Sequence, residues 1–161
     1  MNRNKVRLLT KQERKNAFLY CKFRDEQFAL YDAYAKNNGI SMKTFLVLNV
    51  LFYAKDGMTQ KEICDRTLES KQIVSSIVRN LLADGYVTLE ENADDRRNKT
   101  VRMTKNGREY AERPVRHITN SEDIAMSMFT PEEQKLLVSL SRRFTQNLTK
   151  LVKGDENQND Y

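Results

Sequence analysis

Gln72, Ser75, Ser76 and Arg79 recur at a spacing that gathers them on one side of a helix, at about 100° per residue. Ile73, Val74, Ile77, Val78 and Leu81 fall on the other side. Such a helix packs through its apolar face and turns amide, hydroxyl and guanidinium groups outward. In a major groove, glutamine pairs with adenine, arginine pairs with guanine, and serine serves bases or phosphates. An ordinary amphipathic helix with a solvated polar face has the same pattern, so the helix alone does not decide. A second cluster follows it. Arg96, Arg97, Lys99, Arg102, Lys105 and Arg108 are six basic residues in a run with no acidic one. Packed on a hairpin, they repel one another unless solvent or a polyanion neutralises them. An arginine on a narrow tip can also enter a minor groove, where the negative potential is focused.

The elements that must hold these residues are legible around them. Thr59-Gln60-Lys61-Glu62 is a capping-box pattern, which predicts a short helix to about Arg66 with Ile63 facing inward. Thr67-Leu68-Glu69 is a turn, and Ser70 caps a second helix to about Asp84, where Gly85 supplies a left-handed stop. The segments 86–90 and 100–103 alternate as half-buried strands do, and a turn-rich stretch separates them.

This order of capped helix, second helix, Asp84-Gly85-Tyr86-Val87, basic hairpin and Met103-Thr104-Lys105-Asn106-Gly107 resembles the MarR (multiple-antibiotic-resistance regulator) family of winged-helix proteins. Its Asp-x-Arg motif stands here as Asp95-Arg96-Arg97; Met103 replaces the more common leucine. The resemblance implies that Arg97 reaches the minor groove, braced by Asp95, with Arg96 and Lys99 beside it. It also implies major-groove contact by Gln72, Ser75, Ser76 and Arg79. The motif-bearing part covers about residues 41–112.

Outside that block the chain reads as helical, giving a mainly α fold with a small β-hairpin wing. A long aromatic helix from about Lys11 to Lys36 ends at Asn37-Asn38-Gly39, and Ser41 caps the next, to about Lys55. Thr104 starts a helix to near Met128, which Pro114 should bend or divide. Thr130-Pro131-Glu132-Glu133 opens a last helix with Leu137, Leu140, Phe144, Leu148 and Leu151 on one stripe. The expected division is a basic arm and dimerisation helix over 1–40, a winged helix-turn-helix over 41–112, dimerisation helices over 113–153 and a disordered tail over 154–161. Dimerisation through intertwined terminal helices is what the resemblance implies; packing within one chain is the alternative. A homodimer predicts a palindromic operator on double-stranded DNA, with half-sites about 10 base pairs apart.

Composition fits this class without defining it. The 161 residues carry 28 basic and 22 acidic side chains, a net charge of +6. Arg3, Lys5, Arg7, Lys11, Arg14 and Lys15 face only Glu13 at the N-terminus, as a phosphate-binding arm or a solvated tail would. No apolar run has the length of a membrane span or the form of a signal peptide, which points to the cytoplasm. Two cysteines and one histidine, far apart in sequence, make neither a disulfide framework nor a metal site. With no phosphate loop or catalytic constellation, no enzyme activity and no cofactor are expected. The family resemblance suggests a regulator, in the first place a repressor, released by a small aromatic ligand in a cleft near Tyr31, Tyr34, Phe45 and Tyr53. Cys21, with Lys22 and Arg24 nearby in sequence, offers a redox-sensing alternative if those cations favour its thiolate. A winged-helix protein-docking module is a third reading, which the basic hairpin and Asp-x-Arg fit poorly.

Overall fold

Residues 8–91 and 99–156 are described by the structure, a computed structural model. Among them, six helices and three strands follow the order α1 (Lys11–Asn37), α2 (Met42–Tyr53), β1 (Met58–Thr59), α3 (Gln60–Thr67), α4 (Lys71–Ala83), β2 (Val87–Glu91), β3 (Lys99–Met103), α5 (Lys105–Ser127) and α6 (Pro131–Glu156). The chain divides into two compact units, Met1–Val115 and Arg116–Tyr161. The boundary falls one residue after Pro114, which lies inside α5 without ending it. Proline lacks the N–H that would bond to the carbonyl four residues back, so the helical ladder is weakest there.

The first unit is built on α2. Its sequence is apolar nearly all round, and Met42, Phe45, Val47, Leu48, Leu51 and Phe52 are all buried. A helix buried on so many sides must be wrapped by others, and here α1, α3, α4 and β3 pack against it. Ile63 from α3, Val74 and Val78 from α4, Val87 from β2 and Val101 from β3 complete the core. Ala111 and Val115 from the start of α5 are buried as well.

The helix ends are set locally. Thr10 and Thr59 each form a full capping box, with Glu13 and Glu62 reaching back to the cap backbone. Ser41 and Ser70 accept from the third backbone N–H of α2 and α4. Gly85 takes φ 73° and turns the chain out of α4, as expected. The three strands form an antiparallel sheet in the order β1-β3-β2, with β3 in the centre. Val87 pairs with Met103 and Glu91 with Lys99, while Met58 pairs with Val101. The strand β1 goes beyond the expected hairpin: two residues are too short to show alternation.

The second unit is largely α6. Thr130 caps it by accepting from the Glu133 N–H at 3.3 Å, and the Glu133 carboxylate accepts from the Thr130 N–H at 2.8 Å. The helix continues through Gly154 to Glu156, past the point where a disordered tail was expected to begin. One glycine near a helix end costs only about 1 kcal/mol and does not stop a long helix.

Candidate nucleic-acid interface

The α4 helix presents the polar face that its spacing predicts. Val74, Ile77, Val78 and Leu81 are buried, whereas Gln72, Ser76 and Arg79 are exposed and Ser75 is half-buried. Among the described residues, these four outward side chains form no hydrogen bond or ion pair with the rest of the chain. Their donors and acceptors are free for a partner. Lys61 on α3 and Lys71 on α4 are also exposed cations without a carboxylate partner among the described residues. Sequence reasoning passed over both, because isolated lysines on short helices carry no pattern.

The turn that aims α4 is fixed from several sides. Thr67 Oγ1 donates to the Ile63 carbonyl at 2.7 Å. Lys43 Nζ, on α2, lies 3.1 Å from Glu69 Oε2. At the other end of α3, the Thr59 N–H and hydroxyl donate to the Glu62 carboxylate at 2.8 and 2.9 Å. These bonds, the backbone one first, hold Glu62 below the usual carboxylate pKa.

The basic cluster divides once its partners are seen. Arg102 Nε donates to Glu90 at 3.0 Å, on the neighbouring strand, and Arg102 Nη1 donates to the Lys55 carbonyl at 3.3 Å. Arg108 Nη1 donates to the Phe52 carbonyl at 3.2 Å. Both arginines therefore satisfy carbonyls at and beyond the C-terminal end of α2, where the helix leaves its last acceptors open and cations are favoured. Two of the six cations in the run are thus held by the chain itself. Lys99 and Lys105 lie 3.8 and 3.9 Å from Glu91 and Glu109; such exposed pairs are weak and leave the ammonium groups available. Asp95, Arg96 and Arg97, the wing residues singled out in the sequence, lie outside the described residues.

The wing and α5 meet at one tight junction. Thr104 Oγ1 donates to the Gly85 carbonyl at 2.8 Å and accepts from the Gly107 N–H at 3.0 Å. The Thr104 N–H donates to the Tyr86 carbonyl at 3.0 Å. Tyr86 and Tyr110 stack with centroids 4.2 Å apart and planes 7° from parallel. Burial, then Tyr86 and Asp84, raises the Tyr110 pKa.

The residues proposed for signal sensing are scattered. Phe45 is only 3% exposed and belongs to the core of the first unit. Tyr31 and Tyr34 are half-buried on α1, and Tyr53 is exposed at the end of α2 with its ring edge-on to Phe52. Cys21 is half-buried in a shallow recess on α1 lined by Phe18, Lys22, Asp25, Glu26 and Ala29. Lys22 pairs with Glu26 at 3.4 Å and Arg24 with Asp25 at 2.7 Å. The two cations invoked for a Cys21 thiolate each have a carboxylate partner.

Comparison with known proteins agrees with this geometry. The model of the MarR family matches residues 38–98. The HTH-type transcriptional repressor YetL of Bacillus subtilis (strain 168) is 24% identical over 108 residues, 66% of this chain. The chain spans 65% of the length of that relative. AbsC, a MarR family transcriptional regulator from Streptomyces coelicolor, superposes with a TM-score of 0.74 at 18% identity, covering 89% of this chain and 99% of AbsC. MepR of S. aureus, in a complex with DNA, superposes with a TM-score of 0.67 at 21% identity, covering 83% and 97%. At these identities the solved structures show a shared fold.

Proposed function

We propose that this protein, whose residues 38–98 match the model of the MarR family, is a transcriptional regulator that binds double-stranded DNA in a sequence-specific manner. The observation that carries this reading is the outward face of α4, where Gln72, Ser75, Ser76 and Arg79 have no partner among the described residues. The buried side of the same helix fixes it on α3 and β2. In this reading α4 enters the major groove, Gln72 and Arg79 read bases, and Ser75 and Ser76 serve bases or phosphates. Arg97 enters the adjoining minor groove with Asp95 bracing it, and Arg96 and Lys99 neutralise phosphates.

The protein acts as a homodimer through its terminal helices. Phe18, Phe23, Phe28 and Leu30 of α1 are exposed, and so are Leu137, Leu140, Leu148 and Leu151 of α6. The α6 leucines fall on one helical face, and an exposed apolar face marks an interaction surface; a second copy is the partner the family resemblance supplies. Two-fold symmetry then calls for a palindromic operator with half-sites about 10 base pairs apart. Repression, with release by a small aromatic ligand in the cytoplasm, completes the reading. Ligand release requires only that the ligand prefer the conformation that does not bind DNA. A tenfold loss of operator affinity corresponds to about 1.4 kcal/mol of differential binding.

The test is a titration at fixed salt against a palindromic duplex selected from a random-sequence pool, beside a scrambled duplex. Gln72→Ala and Arg79→Ala should lower the specific-to-nonspecific affinity ratio. Arg97→Ala should weaken binding by about 1–3 kcal/mol, as for loss of one good groove contact. A parent protein that binds neither duplex would remove the DNA reading and leave a protein-docking module. An unchanged ratio in both α4 variants would mean that this face does not read bases.

A further inference from the structure

We infer that Leu68 is a further DNA-contacting residue, whose side chain meets apolar atoms at the edge of the groove that α4 enters; this rests on the DNA-binding reading above. Leu68 ends α3 with φ 58° and ψ 22°, in the left-handed region. Among the described residues it is the only non-glycine residue with positive φ. In that region the Cβ of an L residue crowds the backbone, and helix ends of this form are normally glycine. Packing does not compensate, because Leu68 is 91% exposed. A strained and solvent-exposed leucine contributes nothing to the isolated fold that glycine would not supply at lower cost. Strain of this kind collects at functional positions.

The place of Leu68 in the chain gives the leucine its partner. It stands two residues before Ser70, the cap of α4, whose first turns carry Gln72, Ser75 and Ser76. The N-terminal residues of a recognition helix meet base edges, and the preceding helix crosses the DNA backbone. The turn between them therefore lies at the groove edge. The apolar atoms there are the deoxyribose carbons and the thymine 5-methyl group. Leu68 is also held in position, since its neighbours Thr67 and Glu69 are tied to Ile63 and Lys43. A fixed turn presents the side chain without an ordering cost at binding.

Strain and contact make opposite predictions for one substitution. Leu68→Gly should raise the melting temperature by about 2–4 °C, because glycine adopts the left-handed conformation freely. The same variant should bind the selected palindromic duplex about tenfold more weakly, having lost a buried aliphatic contact in each half-site. Leu68→Asn, which tolerates the same backbone but is polar, should lose affinity in the same way. Leu68→Met, which keeps an apolar side chain of similar reach, should retain it. If Leu68→Gly and Leu68→Asn bind as the parent does, the inference is overturned while the parent's binding still supports the DNA reading. If the parent binds no duplex, both fail together. Replacing thymine by uracil in the duplex separates the two sources of the contact. Weaker binding by the parent but not by Leu68→Gly assigns it to the thymine methyl; unchanged binding assigns it to the sugar edge.

Discussion

Replacing Gly107 by alanine should destabilise the chain, whereas replacing Gly154 by alanine should stabilise it. Both glycines lie in helices, where alanine is favoured by about 1 kcal/mol. Gly154 has open space around it, so Gly154→Ala should stabilise the chain by about 0.5 kcal/mol, less than the full value near a fraying end. Gly107 instead presses on the backbone where β2 begins. A Cβ built there overlaps the Tyr86 carbonyl oxygen and lies 2.8 Å from the Tyr86 carbonyl carbon and 3.1 Å from its Cα. Each of these atoms is backbone, so no side-chain rotation relieves the clash. The first turn of α5 would have to lift away from β2. That movement strains the Thr104 N–H bond to Tyr86, 3.0 Å, and the Thr104 hydroxyl bond to Gly85, 2.8 Å.

Two hydrogen bonds are worth about 1 kcal/mol each, and overpacking adds about 1–3 kcal/mol. Subtracting the helix-propensity gain leaves a loss of about 2–4 kcal/mol, which lowers the melting temperature by about 5–15 °C. Thermal and urea denaturation followed by circular dichroism at 222 nm would measure both variants. The opposite signs are the essential result. A Gly107→Ala protein as stable as the parent would show that α5 and β2 do not meet as described. The Thr-x-x-Gly motif would then have no packing reason behind it.

Two further outcomes follow from the same structure. Leu140→Asp with Leu148→Asp should give a monomer by sedimentation and cost orders of magnitude in operator affinity, since the two half-sites no longer act together; a dimer that survives both charges would place the interface off α6. For Glu62, the depressed pKa means that its stabilisation is present above the unfolded value of about 4.3 and is lost as pH falls through the folded value. The stability difference between the parent and Glu62→Gln should therefore shrink below about pH 4, and a difference constant with pH would contradict the capping role of the charge.

The parts of this molecule that the sequence revealed are those whose cause is local. The α4 faces, the Thr59 and Ser70 caps and the Gly85 stop depend on residues a few positions apart, so periodicity and cap chemistry suffice to read them. The strand β1 was missed because two residues show no alternation, and it exists only through its pairing with β3. The strain at Leu68 was missed for a related reason. The turn at Thr67-Leu68-Glu69 was legible, but a leucine gives no sign of a left-handed backbone, which Leu68 adopts at the end of α3.

The basic cluster shows most clearly what distance in sequence conceals. Arg102 and Arg108 are 47 and 56 residues from the carbonyls they bind, so counting charges along the chain could not separate them from the rest. Their guanidinium groups bind the wing strand and the start of α5 to the C-terminal end of α2, the central helix of the first unit. Drawing either arginine to phosphate would break these carbonyl bonds, which are worth about 1 kcal/mol each. Lys99 and Lys105, in exposed pairs near the 4 Å limit, can exchange a carboxylate for a phosphate at little cost. The cations on which DNA binding should draw are therefore these two lysines with Lys61, Lys71 and Arg79, together with Arg96 and Arg97, which the sequence alone assigns to the wing. The basic run thus divides: Arg102 and Arg108 fix the hairpin to the helical core, and the remainder carries the charge on which the proposed DNA binding would draw.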